Sequence, residues 1–463
     1  MVYNKIVRRV AWLASTALLS VHSAQAQTLL DQYIPSNTQS SNPQYYQGGG
    51  NTVQPFTPNA RDTATGVTVL TRPHPDYDAL GVRLRSFLFN ASLTEGFGYD
   101  SNPLGLSKNK GSSFLQTRGL FSAASNWGRN GISFDATVLN YQYFDVPKIS
   151  HTDWSTTVGG FLDIGRDRLS ASYSHLNLNV LPTSLDNRGN SSVIPFTVDQ
   201  VIANYRTRFG RFSVIPQIEF ASYKFNSGST GLIFGSLFNN TAQTFAPTTV
   251  VNNFDVQNNR DVTTGGATVR YELSPGRDVV GIIRASTASF TNTLLGQLNR
   301  DYTNIQGLLG IDFQANAKLR YRVLGGYERR TYKSNAYRSR TSPTFEAQVI
   351  WSPTQRTTVT VTGSRRIEES IISGLNSFSY TTGRVQVDHE LKRNVILTAY
   401  GQIQRADYNS NQNATIYNAG AAATWKLNRR LALVGSYEYL KRNSNAFNNY
   451  NEHLTLLQLK ISL

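Results

Sequence analysis

Short turns recur along the sequence at nearly regular intervals. Turns rich in Arg, Gly, Asn and Pro occur eight times after residue 81, and five of the seven spacings between them are 36 to 41 residues. Such residues suit hairpin loops of two to five residues. Between consecutive short turns lies a longer loop rich in Asn, Ser and Thr. The eight turns divide the chain into nine segments, each able to form one up-and-down hairpin. The turns are 128–131, 165–168, 209–211, 274–277, 315–318, 352–355, 391–394 and 427–430.

Apolar and polar residues alternate within these segments. In one of them Leu431, Leu433 and Tyr437 alternate with Ser436 and Glu438. A period of two, kept over roughly eight to eleven residues, is what a tilted strand needs to cross a membrane, whereas a helix would scatter these residues over several faces. Two strands per segment predict an all-β fold, an up-and-down antiparallel transmembrane barrel of about eighteen strands, the first of them over 82–98. A secreted solenoid or adhesin is the alternative β architecture.

The N-terminus has the three parts of a secretory signal peptide. Basic residues at Lys5, Arg8 and Arg9 precede an apolar run over 10–21, and Ala24-Gln25-Ala26 supplies the small-x-small cleavage pattern. Such a segment is too short for a permanent spanning helix. We therefore expect residues 1–26 to be removed on export. The chain contains no Cys, which fits export without a disulfide scaffold and gives no site for a lipid anchor.

Residues 27–80 differ in composition from the rest of the chain. They are rich in Gln, Asn, Thr, Pro and Gly and lack strong periodicity, so they are expected to form a flexible periplasmic extension. The barrel is then expected over 81–463, in the outer membrane of a Gram-negative bacterium, with its C-terminus also periplasmic. Without the signal peptide, 42 Lys and Arg face 29 Asp and Glu, a net charge of +13. This balance suggests contact with lipid and lipopolysaccharide or anionic cargo, or simple surface solvation, and export argues against nucleic acid.

Two stretches of the sequence resemble a known family. The run Asp78-Ala79-Leu80-Gly81-Val82-Arg83 and the run Glu95-Gly96-Phe97-Gly98-Tyr99-Asp100-Ser101-Asn102-Pro103 resemble the entry strand of the second β-barrel porin family. The hairpin formed by 425–431 and 435–439 is similar to that family's repeated unit. The resemblance extends from about residue 78 to the C-terminus. It implies an outer-membrane barrel, in a family where several members are associated with exopolysaccharide or capsule export, and it implies no catalytic or ligand residues.

Side chains fill the interior of an eight-stranded barrel, whereas a barrel of eighteen strands leaves an aqueous lumen. Strand alternation predicts that ten cations and nine anions face it. These charges either segregate to opposite walls, where they would orient dipolar solutes, or pair across strands and keep the lumen wet. Inward Tyr141, Tyr332, Tyr380 and Tyr400 form a candidate stacking track for sugar rings. The predicted pore-lining residues are Arg118, Arg206, Arg208, Arg270, Arg284, Arg320, Arg322, Arg330, Arg366, Arg384, Asp135, Asp163, Glu219, Glu272, Asp312, Glu328, Glu368, Asp388 and Glu390.

The longest outer loop, 226–260, is unusually apolar for a solvent-exposed segment. Its only charges are Asp255 and Arg260, and it carries several Leu, Ile and Phe residues. Such a surface is awkward in free solution. One hypothesis is that the loop folds into the pore as a constriction. The alternatives, given equal weight, are that it caps the mouth of the pore or contacts a partner.

The sequence gives no sign of an enzyme, a cofactor or a metal. His151 and His175 lie near outer loops beside Ser150 and Ser174, but sequence neighbours point to opposite faces of a strand. Nucleophile-elbow and metal-ligand spacings are absent, and the Asp100-x-Asn102 turn needs no Ca²⁺.

Three functions are compatible with these features. The first is a porin-like polar pore for small polar solutes or saccharides. The second is the outer-membrane component of exopolysaccharide or capsule export, which implies polysaccharide and its export machinery as partners. The third is a structural or adhesin barrel without transport. The sequence leaves the cargo, the gating and the choice between monomer and trimer open.

Overall fold

The computed structural model describes residues 68–108, 110–187, 192–225, 230–233, 250–291, 298–372, 375–408 and 411–463. The expected signal peptide and the expected extension up to residue 67 lie outside these ranges. The strands are β1 Val82–Leu84, β2 Phe87–Asp100, β3 Ser112–Ser125, β4 Asn130–Tyr143, β5 His151–Ile164, β6 Asp167–Val180, β7 Ile194–Phe209, β8 Phe212–Phe225, β9 Thr230–Ile233, β10 Val250–Asn253, β11 Arg260–Ser274, β12 Arg277–Phe290, β13 Tyr302–Asn316, β14 Leu319–Tyr332, β15 Arg340–Thr354, β16 Thr357–Glu369, β17 Ser377–Lys392, β18 Val395–Tyr408, β19 Asn413–Lys426, β20 Leu431–Ser444 and β21 Tyr450–Ser462. Two short 3₁₀ turns span Pro147–Ile149 and Phe254–Asn258.

Eighteen antiparallel strands, β2–β8 and β11–β21, close into a barrel. Each pairs with the next along the chain, β8 pairs with β11 across the longest loop, and β9 and β10 pair only with each other. The barrel closes where β2 pairs with β21, from Ser92 opposite Ser462 to Asp100 opposite Leu454. The predicted eighteen-stranded barrel is therefore confirmed. No helix in the described ranges has the length and apolar character needed to cross a membrane.

The two ends of the barrel differ as the sequence predicts. Several connections at one end are only two residues long, and Gly165, Gly210 and Gly276 in them have φ values of +66°, +59° and +79°. Backbone in this region matches the twist of tight hairpins and favours glycine. We call this the short-turn end, and the opposite end, where the longer connections lie, the long-loop end.

Side-chain direction alternates along each barrel strand. In β13 Leu309 is 66% exposed and its neighbour Leu308 only 4%, and in β14 Tyr327 is 69% exposed while Leu324 is fully buried. Residues opposite each other in a ladder share a face, so this parity propagates around the whole barrel. The outer surface is consequently a belt of exposed Leu, Ile, Val, Phe and Tyr, and the inner surface is mostly polar and charged. The belt has the character of a surface that faces lipid.

The predicted first strand, 82–98, is wrong in one respect, because the chain turns back on itself within it. Arg85 adopts a φ of +51°, and β1 folds onto the start of β2 with Val82 opposite Phe89. Backbone hydrogen bonds from Gly81 to Leu463 and from Leu463 to Ala91 continue the line of β21 into β1. β1 thereby pairs the part of β2 that lies beyond the end of the chain's last strand, where an open sheet edge would be costly.

Residues 68–80 fold against the short-turn end, and we call them the mouth segment. Sequence analysis placed them in a flexible extension, but here the Val69 side chain is buried and its amide donates to Thr358 Oγ1 at 3.0 Å. Arg72 also forms an ion pair of 3.0 Å with the inward-facing Glu390. The mouth segment therefore covers part of the lumen's opening at this end.

The lipid-facing assignment predicts a depth-dependent cost for charge on β21. Leu457 lies outward at mid-strand and Ile461 lies outward near the short-turn end, 64% and 46% exposed. We expect Leu457→Arg to reduce the free energy of unfolding by about 2–4 kcal/mol and Ile461→Arg by about 0–1 kcal/mol, because the cost of burying charge peaks at the bilayer midplane. Reversible urea unfolding in phospholipid vesicles, followed by tryptophan fluorescence, measures both. Equal losses at the two sites would contradict the assignment.

Candidate functional site

The structure places all nineteen predicted pore-lining residues at inward-facing strand positions. Most are buried, whereas Arg208 at the end of β7 is exposed. Strand parity alone was enough to find these residues. The sequence analysis missed other buried charges: some lie in loops or near strand ends, whereas Glu346 and Glu438 lie in the middle of their strands. The buried charged residues that it missed are Asp100, Asp153, Asp186, Arg260, Arg300, Asp301, Glu346, Glu369, Glu438, Arg442 and Glu452.

Opposite charges pair along one wall of the lumen, from β11 to β16. Arg270 lies 3.5 Å from Asp278 and 3.4 Å from Asp312, and Arg284 lies 3.1 Å from Glu346. Of the two arrangements expected, this wall therefore shows pairing across strands. Buried charges require such partners, since the cost of desolvating an isolated ion is several kcal/mol.

The end of β16 leaves the wall and turns into the lumen. β16 pairs with β15 only as far as Arg365, although it continues to pair with β17 up to Glu369. The Ile367 amide instead donates to Glu328 of β14 at 2.9 Å, and Arg330 donates to the Ile367 carbonyl at 3.1 Å. The chain therefore crosses the inner face of β14 rather than running along the wall.

Glu369 anchors this inward segment through two ion pairs. Its Oε1 accepts from Arg300 at 2.7 Å, its Oε2 accepts from Arg330 at 2.8 Å, and the side chain is 1% exposed. Arg300 also donates to the carbonyl of Ser370 at 2.8 Å and to Asn258 Oδ1 at 3.0 Å. The Glu369 carboxylate thus binds two guanidinium groups, one from Arg330 in β14 and one from Arg300 in the loop before β13.

A second loop, 181–187, meets the inward segment from the other side. The Asp186 carboxyl accepts from Ser370 Oγ at 2.9 Å, from the Ile371 amide at 2.8 Å and from Tyr408 OH at 2.7 Å. Burial raises the pKa of Asp186 to about 6, although hydrogen bonds from Tyr408, Ile371 and Ser370 and the charge of Arg442 act in the opposite direction. One buried carboxyl group therefore links the two loops to each other and to β18.

The far wall completes the closure. Arg442 of β20 donates to the carbonyl of Asn187 at 2.8 Å and to those of Ser184 and Leu185 at 3.4 Å. Leu185, 1% exposed, packs among inward residues of β17 to β21. We name residues 181–187 and 366–372 the lumenal plug. Its contacts run across the lumen from β14 to β20, near the long-loop end.

The sequence analysis did not identify these two loops. It proposed 226–260 as the constriction, and most of that loop lies outside the described residues. Its described end contributes to the plug, since Asn258 donates to the Ile371 carbonyl at 3.2 Å and Arg260 donates to the Asn258 carbonyl at 2.9 Å.

Comparison with models of protein families finds a match over the whole barrel. The model for the family described as "Putative beta-barrel porin 2" matches residues 74–463. The chain belongs to that family. It is thus an outer-membrane β-barrel of the porin type, as the resemblance implied. No curated protein sequence matches the chain.

Comparison with solved structures also found proteins similar to this chain at low sequence identity. OpdK from Pseudomonas aeruginosa, crystallised with vanillate, is 10% identical, with 81% of this chain and 99% of that chain covered and a TM-score of 0.43. OpdL from Pseudomonas aeruginosa is 10% identical with coverages of 82% and 100% and a TM-score of 0.42. OccAB4 from Acinetobacter baumannii is 10% identical with coverages of 85% and 100% and a TM-score of 0.42.

Each of the four lumenal tyrosines of this porin contacts a neighbouring ring or guanidinium group. Arg366 lies over the ring of Tyr380 at 5.3 Å and Arg384 over that of Tyr400 at 3.9 Å. Tyr141 stacks on His151 and Tyr332 meets Tyr302 edge-on. A stacking track for sugar rings along these tyrosines stays a prediction.

Of the two serine–histidine pairs considered for catalysis, Ser174 and His175 lie on opposite faces of β6. His175 points outward, where its Nδ1 lies 2.6 Å from Asp199 and its ring contacts Trp154, whereas Ser174 points inward toward Thr157. In the described part of the chain, no group of three or more His, Cys, Asp or Glu residues is arranged to hold a metal ion. The polar residues that the structure does bring together are those of the lumenal plug, whose ion pairs and hydrogen bonds cross the lumen.

The plug anchor gives a stability prediction. Glu369→Gln leaves Arg300 and Arg330 buried without their shared carboxylate, and breaking a buried ion pair costs about 3–5 kcal/mol. Arg405→Gln is the control, because Arg405 pairs with Asp407 on the outer face and is half exposed, where an ion pair contributes about 0–1 kcal/mol. Hydrogen exchange of the Ile367 and Ile371 amides should accelerate at least tenfold in Glu369→Gln and stay unchanged in the control. Unchanged exchange in both variants would show that Glu369 does not hold the plug.

Proposed function

We propose that this porin is a gated pore for small polar solutes or saccharides, held closed at rest by the lumenal plug. The observation that carries the proposal is the chain of contacts from β14 to β20 through Glu369, Asp186 and Arg442. A lumen lined by ion pairs favours solutes that keep polar groups hydrated or hydrogen-bonded and disfavours apolar ones.

The plug has the properties of a movable part. It consists of the 181–187 loop and the end of β16 with the residues that follow it, and the barrel is already closed by the ladders between the other parts of its strands. The hydrogen bonds that join the two loops pass through a single side chain, Asp186. Binding loops and lids are drawn from segments of low local stability, and a few hydrogen bonds are a small barrier to rearrangement.

Removing the Asp186 carboxyl tests the gate. We expect Asp186→Ala to raise the mean conductance or the open probability in planar bilayers several-fold, because Ser370, Ile371 and Tyr408 all lose their acceptor. Asp145→Ala is the matched control, since Asp145 is an exposed aspartate in another long loop. A wild-type protein that is already fully open, or an Asp186→Ala variant that conducts no more than wild type, would overturn the proposed gate.

We also propose that the short-turn end and the mouth segment face the periplasm, as in barrels with short periplasmic turns. Outward Arg329 and Lys441 near the long-loop end would then meet the phosphates of lipopolysaccharide.

Cysteine labelling tests this orientation without background, because the chain has no Cys. Asn448→Cys lies in an exposed long loop and Arg393→Cys in an exposed short turn. An impermeant maleimide added to intact cells should label Asn448→Cys at least tenfold faster than Arg393→Cys, and lysis should equalise the two. The reverse ranking would invert the proposed topology.

Polysaccharide export is the second candidate function. It is favoured by cover at both ends, since the mouth segment covers part of one opening and the plug crosses the lumen near the other. A barrel that stays closed until a polymer or a periplasmic partner arrives would prevent leakage. Opening of the wild-type barrel by small sugars would favour the porin. A wild-type barrel that stays closed to small sugars would favour export.

A further inference from the structure

A cavity lies inside the barrel between the 181–187 loop and the wall formed by β18 to β21 and β2. Its volume is about 50 Å³, which is room for a few water-sized groups such as an ammonium group, and it is partly open to the lumen. One side is apolar, with Ile416, Leu440 and Leu185. The other side is polar and carries the groups that determine what the cavity can bind.

The charged residues that line this cavity are three carboxyl groups, Asp100, Glu438 and Glu452. They surround Leu454, because Glu438 and Asp100 lie opposite it on the two neighbouring strands and Glu452 lies two residues away on its own strand. All three are less than 9% exposed. Anions buried so close together repel each other unless protons or cations intervene.

The protein supplies only part of this compensation. Asp100 accepts hydrogen bonds from the Asn102 amide at 2.9 Å and from the Tyr143 hydroxyl at 3.4 Å. Arg442, an inward cation on the same strand as Glu438, directs its guanidinium to the carbonyls of Ser184, Leu185 and Asn187. The cavity lining therefore keeps a surplus of acceptors over donors.

Two buried acceptors in the lining have no hydrogen-bond partner among the described residues. One is Glu452 Oε2 and the other is Asn418 Oδ1. Asn418 is 5% exposed, and its amide nitrogen donates to Glu438 Oε1 at 3.0 Å, which fixes the orientation that turns Oδ1 to the cavity. A buried acceptor without a donor is unfavourable, so the site fits a group that donates several hydrogen bonds.

We propose that this cavity is a binding subsite for a solute bearing a primary ammonium group, with an amino sugar as the class that fits best. An ammonium group offers three donors and a positive charge, so it can donate to Glu452 and Asn418 and offset the charge of the neighbouring carboxyl groups. The rest of the sugar would extend from the cavity into the lumen. The subsite deepens the proposed pore function and rests on it only in that the solute must reach the lumen.

Isothermal titration of the full-length protein in detergent tests the subsite, with glucosamine as the probe and glucose and N-acetylglucosamine as neutral comparisons. We expect saturable glucosamine binding at least about tenfold tighter than that of either neutral sugar, because charge-assisted hydrogen bonds contribute more than neutral ones. Glu452→Gln should weaken glucosamine binding about tenfold and leave the neutral sugars unchanged. Asn418→Ala should also weaken it, as an independent variant.

Glu95→Gln is the control, because Glu95 is a carboxylate on the outer face of β2 that accepts from Thr117. Heat-modifiable gel mobility checks that each variant forms the barrel. Equal affinity for the three sugars, no saturable binding, or glucosamine binding unaffected by Glu452→Gln would each overturn the subsite. Conductance of Asp186→Ala is measured separately, so a closed pore and an absent subsite give different results.

Discussion

Backbone hydrogen bonding is the constraint on which this structure depends. Within lipid, every strand must find a partner on both edges, so the sheet has to close on itself. The ladder between β2 and β21 closes the barrel over Ser92 to Asp100. β1 continues this ladder along the start of β2, from Phe87 to Phe89. The left-handed conformation of Arg85 is the local consequence, since only a tight reversal returns Val82 to a position opposite Phe89. Closure then fixes which side of each strand faces lipid and which faces the lumen.

An inward face shared by eighteen strands concentrates charge in a small volume. Paired charges are tolerated there because each ion gains a partner, and the wall from β11 to β16 follows this pattern. The plug extends the same logic, because Glu369 neutralises Arg300 and Arg330 at once. The wall around Leu454 departs from it with three neighbouring carboxyl groups. Carboxyl groups without a nearby cation mark a place where a ligand can supply the positive charge.

The strand pattern, the strand number and the inward set could be predicted from the sequence, because each depends on local periodicity. A residue such as Arg322 needs only its parity within a strand to be assigned to the lumen. The plug depends on contacts between distant parts of the chain, since Asp186 meets Ser370 and Tyr408, 184 and 222 residues away. Nothing in the composition of 181–187 or 366–372 distinguishes them from other outer loops. Apolar composition pointed instead to 226–260, of which only the end near Asn258 is seen to take part.

The two halves of the plug are held by different kinds of interaction, and this difference orders their release. Glu369 is fixed by two buried guanidinium groups, so withdrawing it would strand both charges in the lumen. Asp186 accepts hydrogen bonds from hydroxyl and amide donors, and burial raises its pKa to about 6. In the proposed gate we expect the 181–187 loop to move before 366–372. Because this loop also forms one side of the acidic cavity, a solute bound against Glu452 would press on the half of the plug that is easier to displace.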